Sequence, residues 1–175
     1  GNSIRYEQPA LKVVIERLPA TLELTAVAFL FMLILGLPLG ILSAVRKNSA
    51  IDLFSSGLAL FGQSVPTFWL GIVLILLFSV HWQIFPSSGR SGFLSLVLPG
   101  ITLGAFSASL ITRMTRSSLL EVLSSNYVMT ARAKGLSEAV VILKHSLRNA
   151  AVPIVTIVGL QIGPMIGGAI VTEQV

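Results

Sequence analysis

The sequence has 175 residues, of which 54% are hydrophobic and only 11% are charged, with a mean hydropathy of +0.88. A soluble domain carries about 25% charged residues, so this composition excludes an ordinary water-soluble domain and indicates a polytopic membrane protein. The formal net charge is +5, and membrane proteins collect Lys and Arg at one face. The sequence contains no cysteine, which excludes disulfides and thiolate chemistry within it.

Four uncharged runs follow one another along the chain, and each is long enough to cross a bilayer as a helix. They cover residues 24–45, 53–80, 93–112 and 149–172. A helix needs about 20 residues to cross the hydrocarbon core. We therefore predict that residues 1–175 form one all-α transmembrane helix bundle, with spans near 24–45, 60–80, 93–115 and 150–172.

The basic residues are divided unevenly between the two ends of these spans. Eight Lys and Arg residues fall in segments 46–52 and 113–148, and four fall in segments 1–23 and 81–92. Because cytoplasmic loops collect basic residues, we predict that the first two segments face the cytoplasm. Segment 81–92 and both chain ends then face outward. This arrangement favours a partial domain that lacks helices at both ends.

Glycines and prolines recur within the predicted spans. Glycines recur at four-residue spacing, a pattern that lets helix backbones approach closely in lipid; they are Gly36 and Gly40, Gly100 and Gly104, and Gly159, Gly163 and Gly167. Every span also holds a proline, which kinks a helix; these are Pro38, Pro66, Pro99, Pro153 and Pro164. Glycine and proline are also commoner in membrane helices generally, so each single residue is open to that simpler explanation.

The segment YVMTARAKGLSEAVVILKHSLRNAAVP, from Tyr127 to Pro153, is basic and lies between two apolar runs. Ser125 or Asn126 can cap a first short helix, and Gly135 can end it in a left-handed conformation. Further along, Ser137 can cap a second helix, whose apolar stripe is Leu136, Val140, Leu143 and Leu147. The residues alone leave two interpretations open: a helix that rests on lipid headgroups, or a docking surface for a cytoplasmic partner.

Few polar side chains occur inside the uncharged runs. The candidates for lining a solute path are Gln63, Ser64, Thr67 and Gln161. Hydrogen bonds between helices are an equally good explanation of the two glutamines. An ion-coupled secondary transporter, or another polytopic membrane protein, is the alternative function. Such transporters hold ionisable groups inside the membrane, however, and the four runs contain none.

Enzymatic and nucleic-acid functions find little support. The sequence lacks the motifs HExxH and GxSxG, and its two histidines, His81 and His145, fall on opposite sides in the predicted topology. We therefore predict no catalytic residue, no metal ligand and no cofactor. Tyr127 is the only aromatic residue of the basic loop, whereas nucleic-acid surfaces interleave several aromatic residues with basic ones.

The loop resembles the cytoplasmic signature loop of bacterial ABC-importer permeases, the binding-protein-dependent inner-membrane components. Within that family it is most similar to the dipeptide, oligopeptide, nickel and glutathione branch, which reads TARAKG, then LRNA, then a later proline. Gly135 takes the glycine position of the broad family pattern, while Arg148 replaces its proline. The stretches SVPTFWLG at 64–71 and FPSSGR at 85–90 also agree with this branch.

The resemblance implies a type I ABC-importer permease fold and a transport subunit of the bacterial or archaeal inner membrane. Such a subunit forms the path for peptides or a related small solute. The implied partners are a second permease subunit, in a homo- or heterodimer, ATP-binding subunits and an extracytoplasmic solute-binding protein. The motif GxxxxGK[ST] is absent from the sequence, so we expect ATP hydrolysis on a separate chain and no enzymatic activity here.

The resemblance also assigns coupling to the ATPase to loop 124–148. The coupling residues implied are Thr130, Ala131, Arg132, Ala133, Lys134, Gly135, Leu136, Ser137 and Glu138. We place Ala131, Ala133, Gly135 and Leu136 at the centre of the contact, because small side chains allow a partner to approach closely. Arg132 and Lys134 then flank the contact as charges that can pair with the partner or with anionic lipid headgroups.

The predicted topology is testable by cysteine labelling. A cysteine introduced at Ser88 should react with a membrane-impermeant thiol reagent added from outside the cell, because the basic residues place segment 81–92 there. A cysteine at Lys47 should react only after the membrane is opened. Labelling of the Ser88 position from the cytoplasmic side alone would contradict the orientation.

Overall fold

The computed structural model describes residues 10–86 and 92–172, and within these ranges the regular elements are helices, with no strand. Residues 1–9, 87–91 and 173–175, which include part of the predicted external loop and both predicted external ends, lie outside the described residues. The α-helices are α1 (Ala10–Val45), α2 (Ala50–Ser64), α3 (Thr67–Leu74), α4 (Leu94–Leu123), α5 (Asn126–Ala133), α6 (Glu138–Val140), α7 (Leu147–Leu160) and α8 (Ile162–Thr172). Two segments are π-helical, π1 (Ile75–His81) and π2 (Val141–Ser146).

Three helical stretches of the described chain are long and apolar enough to cross a membrane. They are Ile15–Val45, Leu94–Leu123 and Glu138–Ala169. A fourth crossing is available if α2 and the α3–π1 helix are counted as one bent span, in which the two parts meet at 106°. This helical bundle confirms the predicted fold class. The helices at three of the predicted spans start before the predicted first residue or continue past the last one.

The second predicted span, 60–80, is divided in the structure. Helix α2 ends at Ser64, Val65 is extended with φ −80° and ψ 127°, and α3 begins at Thr67 immediately after Pro66. Proline disfavours a helical conformation of the residue before it, and it lacks the N–H that would bond the carbonyl four residues earlier. A proline kink was expected in this run, and the structure shows a sharp break instead.

Helices α1 and α4 pack side by side and run in the same direction. Gly104 of α4 lies against Ala28 of α1, and further along both helices Gly40 lies against Thr112. Two consecutive crossings of a membrane would run in opposite directions. The parallel pairing therefore requires that the bent α2–α3–π1 unit carry the chain back between them.

The last crossing runs antiparallel to α4. Ile154 near its start packs with Leu119 near the end of α4, whereas Met165 packs with Ile111, which lies earlier in α4. The end of α1, the start of α2, the end of α4 and the start of α7 consequently lie at one end of the bundle. Segments 46–52 and 113–148, which carry most of the basic residues, meet at this same end.

Two of the three predicted glycine patterns are confirmed as sites of close backbone approach. A Cβ atom added at Gly104 would lie 2.7 Å from the Ala28 carbonyl oxygen, and one added at Gly40 would lie 2.7 Å from the Thr112 carbonyl oxygen. Gly36 and Gly100 are similarly confined. The third pattern differs: at Gly159, Gly163 and Gly167 no described atom lies within 4 Å of an added Cβ.

This contrast predicts opposite effects of alanine at two glycines. Gly104→Ala should destabilise the bundle by about 1–3 kcal/mol, because the methyl group meets a backbone oxygen that cannot move without shifting α1. The matched control Gly163→Ala should leave stability unchanged or raise it by up to about 1 kcal/mol through helix propensity. Thermal unfolding of both variants in detergent, followed by circular dichroism, measures the difference. Equal melting temperatures would contradict the close packing.

Candidate coupling segment and membrane groove

The predicted coupling loop consists of two short helices joined by a glycine turn. Helix α5 begins at Asn126 after the N-cap residue Ser125, whose hydroxyl donates to the Val122 carbonyl rather than capping the helix. Gly135 adopts φ +78°, which confirms the left-handed conformation predicted for it. Ser137 then precedes α6, which begins at Glu138. We call residues 124–148 the coupling segment.

The inner face of this segment forms a small core of its own. Val128, Ala131 and Val141 are buried together against Leu123 and Val122 at the end of α4. Ala131 is only 8% exposed, so its small side chain is explained by packing within this chain. It therefore supports the segment from beneath and does not contribute to the exposed surface. The other eight predicted coupling residues are all exposed; they are Thr130, Arg132, Ala133, Lys134, Gly135, Leu136, Ser137 and Glu138.

An exposed ion pair bridges the two helices of the coupling segment. Arg132 Nε donates to Glu138 Oε1 at 2.8 Å, and a second guanidinium nitrogen donates to Oε2 at 3.2 Å. The hydrogen bond to Glu138 raises the pKa of Arg132 above its already high value, so the guanidinium stays charged at any physiological pH. Arg132 was predicted to pair with a partner or with lipid headgroups; in this chain it closes the turn around Gly135.

Three of the four residues of the predicted apolar stripe face away from the chain, and the fourth, Leu147, is half-buried. Leu136, Val140 and Leu143 are 40%, 37% and 65% exposed, whereas Val141 is fully buried. The Ser146 hydroxyl donates to the Val141 carbonyl at 2.9 Å within segment π2. We call Leu136, Val140 and Leu143 the outward stripe.

The four polar residues predicted to line a solute path meet at one groove. Gln63, Ser64, Thr67 and Gln161 all line a groove of about 450 Å³. Its other walls include Ser107 of α4 and Met165 of α8. None of the described residues that line it is ionisable.

One helix break and one local irregularity adjoin this groove. The break is at Val65–Pro66, between α2 and α3. The irregularity is the turn at Gln161 between α7 and α8, where the Gln161 N–H still donates to the Ile157 carbonyl at 3.1 Å and the Met165 N–H donates to the Gln161 carbonyl at 3.1 Å. The end of a helix leaves carbonyl groups without helical partners, and its start leaves N–H groups free. Membrane transporters use such interrupted helices near the bilayer centre to expose backbone groups to a solute.

Two hydrogen bonds connect the glutamines of the groove to α4. Gln161 Nε2 donates to Ser107 Oγ at 2.7 Å, and both residues are buried. On the α2 side, an Arg113 guanidinium nitrogen donates to Gln63 Oε1 at 2.5 Å, and this contact is exposed. Helix–helix hydrogen bonding was the alternative explanation of both glutamines, and the structure shows that each makes such a bond while also lining the groove.

A buried charge network at the basic end of the bundle was not predicted from the sequence. Asp52 is 5% exposed and accepts two hydrogen bonds from Arg116, at 2.7 and 2.9 Å. Ser43 Oγ donates to the same carboxylate at 2.5 Å, and the Asn48 backbone N–H donates at 2.9 Å. One signal was available: no other acidic residue occurs between positions 23 and 121. The network joins α1, the α1–α2 turn, α2 and α4.

The described residues contain no group of three or more His, Cys, Asp or Glu side chains that could hold a metal ion. The candidate site consists of a basic segment at one end of the bundle and an uncharged groove beside the Val65–Pro66 break. These features define a multi-pass helical membrane protein with an exposed basic segment at one end. The chain belongs to the family of binding-protein-dependent transport system inner membrane components, whose model matches residues 36–175.

Relatives within the family agree with the resemblance that the coupling loop showed. The chain is 41% identical over 206 residues to the dipeptide transport system permease protein DppB of Escherichia coli strain K12, covering 100% of this chain and 61% of that protein. It is 43% identical over 175 residues to the glutathione transport system permease protein GsiC of Salmonella paratyphi A, covering 100% of this chain and 57% of that protein. The chain thus spans about 60% of the length of these relatives.

The Asp52–Arg116 pair yields a stability prediction. Asp52→Asn should cost about 3 kcal/mol, because it leaves the guanidinium of Arg116 without its counter-charge in a mostly buried position. The control is Glu138→Gln, which breaks the exposed pair with Arg132 and should change the stability much less, because solvent screens an exposed ion pair. Melting temperatures of the two variants in detergent check the difference. Equal shifts would show that the Asp52 network does not hold the helices together.

Proposed function

We propose that this chain is part of a permease subunit of an ATP-driven solute importer in the bacterial inner membrane. Family membership is the observation that carries the proposal. The relatives are named for dipeptide and glutathione transport, so a peptide or related small solute is the proposed cargo. The described helices can form up to four membrane crossings, as expected of a subunit that provides a path through the membrane.

The proposed partners follow from what the sequence lacks and what its surface offers. The sequence contains no phosphate-binding loop of the form GxxxxGK[ST], so ATP is hydrolysed by a separate ATP-binding subunit. A second permease subunit and an extracytoplasmic solute-binding protein complete the proposed importer, as the family description implies. The chain itself has a transport role and no catalytic one.

The coupling segment is the proposed contact with the ATP-binding subunit. Its outward stripe exposes three large apolar side chains, Leu136, Val140 and Leu143, beside the turn at Gly135. Clustered apolar side chains next to exposed charges are characteristic of surfaces that bury in a partner. The Arg132–Glu138 pair and the small core around Ala131 hold this surface in shape before the partner binds.

The groove is the proposed segment of the solute path in this chain. Amide, hydroxyl and backbone groups line it, and these can exchange hydrogen bonds with a solute without a fixed charge. Ion-coupled transport, the alternative function, needs an ionisable group at such a place. None of the described lining residues is ionisable, and the buried Asp52 is already paired with Arg116.

A substitution in the outward stripe tests the proposed coupling. Leu136→Ser removes an apolar side chain that is 40% exposed, and burial of that exposed part in a partner contributes about 1 kcal/mol. We expect an affinity for the ATP-binding subunit that is lower by about three- to tenfold, and reduced solute-stimulated ATP hydrolysis by the reconstituted importer. Pull-down of the ATP-binding subunit and ATPase assays with and without loaded binding protein measure the two effects.

The matched control is Leu53→Ser. Leu53 is an exposed leucine at the same end of the bundle, on α2 and outside the coupling segment. This variant should bind the ATP-binding subunit and respond to solute like the unchanged protein. If Leu136→Ser behaves like the control, the coupling segment rests on lipid and the proposed docking fails.

A further inference from the structure

Two arginines one turn apart on α4 have opposite surroundings. The guanidinium of Arg116 is paired with the Asp52 carboxylate through two hydrogen bonds, so its charge is neutralised. Arg113 is exposed, and its one described hydrogen bond goes to the neutral amide oxygen of Gln63. Within the described chain, Arg113 therefore keeps an uncompensated positive charge.

This charge adjoins the groove. Gln63 lines the groove and is bonded directly to Arg113, while the described lining residues themselves carry no charge. Arg113 is thus a cation that one side chain separates from an otherwise neutral groove. The ion pair that joins α4 to α2 is already formed by its neighbour Arg116, so Arg113 has no carboxylate partner among the described contacts.

The hydrogen bond from Arg113 to the Gln63 amide oxygen can be replaced by a hydrogen bond from Arg113 to a carboxylate. A carboxylate oxygen accepts the same hydrogen bonds from a guanidinium as an amide oxygen, and a carboxylate adds the attraction between opposite charges, which a neutral amide lacks. Arginine can also bind both oxygens of a carboxylate at once, as Arg116 does with Asp52 on the same helix. A free carboxylate that enters the groove would therefore displace Gln63 from Arg113.

We propose that Arg113 is a specificity-determining residue, which binds a carboxylate group of the solute at the lip of the groove after this group replaces Gln63. The inference rests on the proposed function of the groove as part of the solute path. An anionic lipid headgroup offers similar oxygen chemistry, but the hydrogen bond from Arg113 leads to a residue of the groove wall. The solute carboxylate is accordingly the ligand that we assign.

A pair of probes that differ only in charge tests this assignment. The full-length permease, assembled with its partner subunits in phosphatidylcholine nanodiscs, carries the reporter Ser64→Cys in the groove wall. The rate of maleimide labelling, measured relative to the complex without the reporter, is followed with N-acetylalanine, which has a carboxylate, or with N-acetylalanine amide, which does not. We expect the carboxylate probe to protect the cysteine at about tenfold lower concentration.

Three variants separate the role of Arg113 from general effects of charge. Arg113→Gln should abolish the advantage of the carboxylate probe. Gln63→Glu should do the same while keeping the arginine, because the new carboxylate neutralises Arg113 as Asp52 neutralises Arg116. The control Lys47→Gln removes one exposed positive charge at the same end of the bundle and should keep the tenfold advantage.

The outcomes distinguish this inference from the proposed function. Equal protection by the two probes, or an advantage that survives both Arg113→Gln and Gln63→Glu, overturns the role of Arg113 and leaves the groove as a solute path. Absence of protection by either probe overturns the inference and the role of the groove together. An advantage that disappears when phosphatidylglycerol is added to the nanodiscs shows that headgroups occupy Arg113, which also overturns the assignment.

Discussion

The close backbone contact between the parallel helices α1 and α4 is the constraint on which the rest of the bundle depends. In lipid no hydrophobic effect drives two apolar helices together, so their contact relies on van der Waals packing over short distances. Gly40 and Gly104 make this possible by leaving the space of a side chain to the neighbouring helix. Since α1 and α4 are parallel, the bent unit between them has to return the chain, and its break then lies against α4.

Helix α4 also organises the polar contacts of the bundle. Asp52 of α2, Gln63 at the end of α2 and Gln161 at the start of α8 each bond to an α4 side chain. These contacts are expensive to break where they are buried, because lipid offers no replacement for a lost hydrogen bond. The ion pair near the basic end fixes the start of α2, whereas Gln63 lies beside the Val65–Pro66 break and Gln161 lies at the turn between α7 and α8. Helix α4 thus provides both the ion pair at the basic end and the hydrogen bonds at the groove.

Sequence reasoning identified the features that depend on neighbouring residues. Uncharged runs predicted long apolar helices, and the pattern around Gly135 predicted a left-handed turn, because length and backbone freedom are local properties. Pro66 permits either a kink or a break, and only packing against α4 decides between them. The burial of Ala131 depends on its packing with Val141, ten residues later, and the pairing of Asp52 with Arg116 joins residues 64 positions apart. Contacts between residues that are distant in the sequence produce no periodic pattern from which they could be predicted.

The coupling segment and the groove are opposite ends of one rod. Helix α6, segment π2 and helix α7 continue without a break from Glu138 to Leu160, a length of about 35 Å at the rise of a helix. Val140 and Leu143 of the outward stripe lie on the first turns of this rod, and Gln161, which follows its far end, forms part of the groove wall. A continuous helix moves largely as one stiff unit, so a displacement of one end moves the other end as well. A tilt of a few degrees at the stripe therefore displaces the groove wall by an ångström or more, which exceeds the tolerance of the hydrogen bond between Gln161 and Ser107.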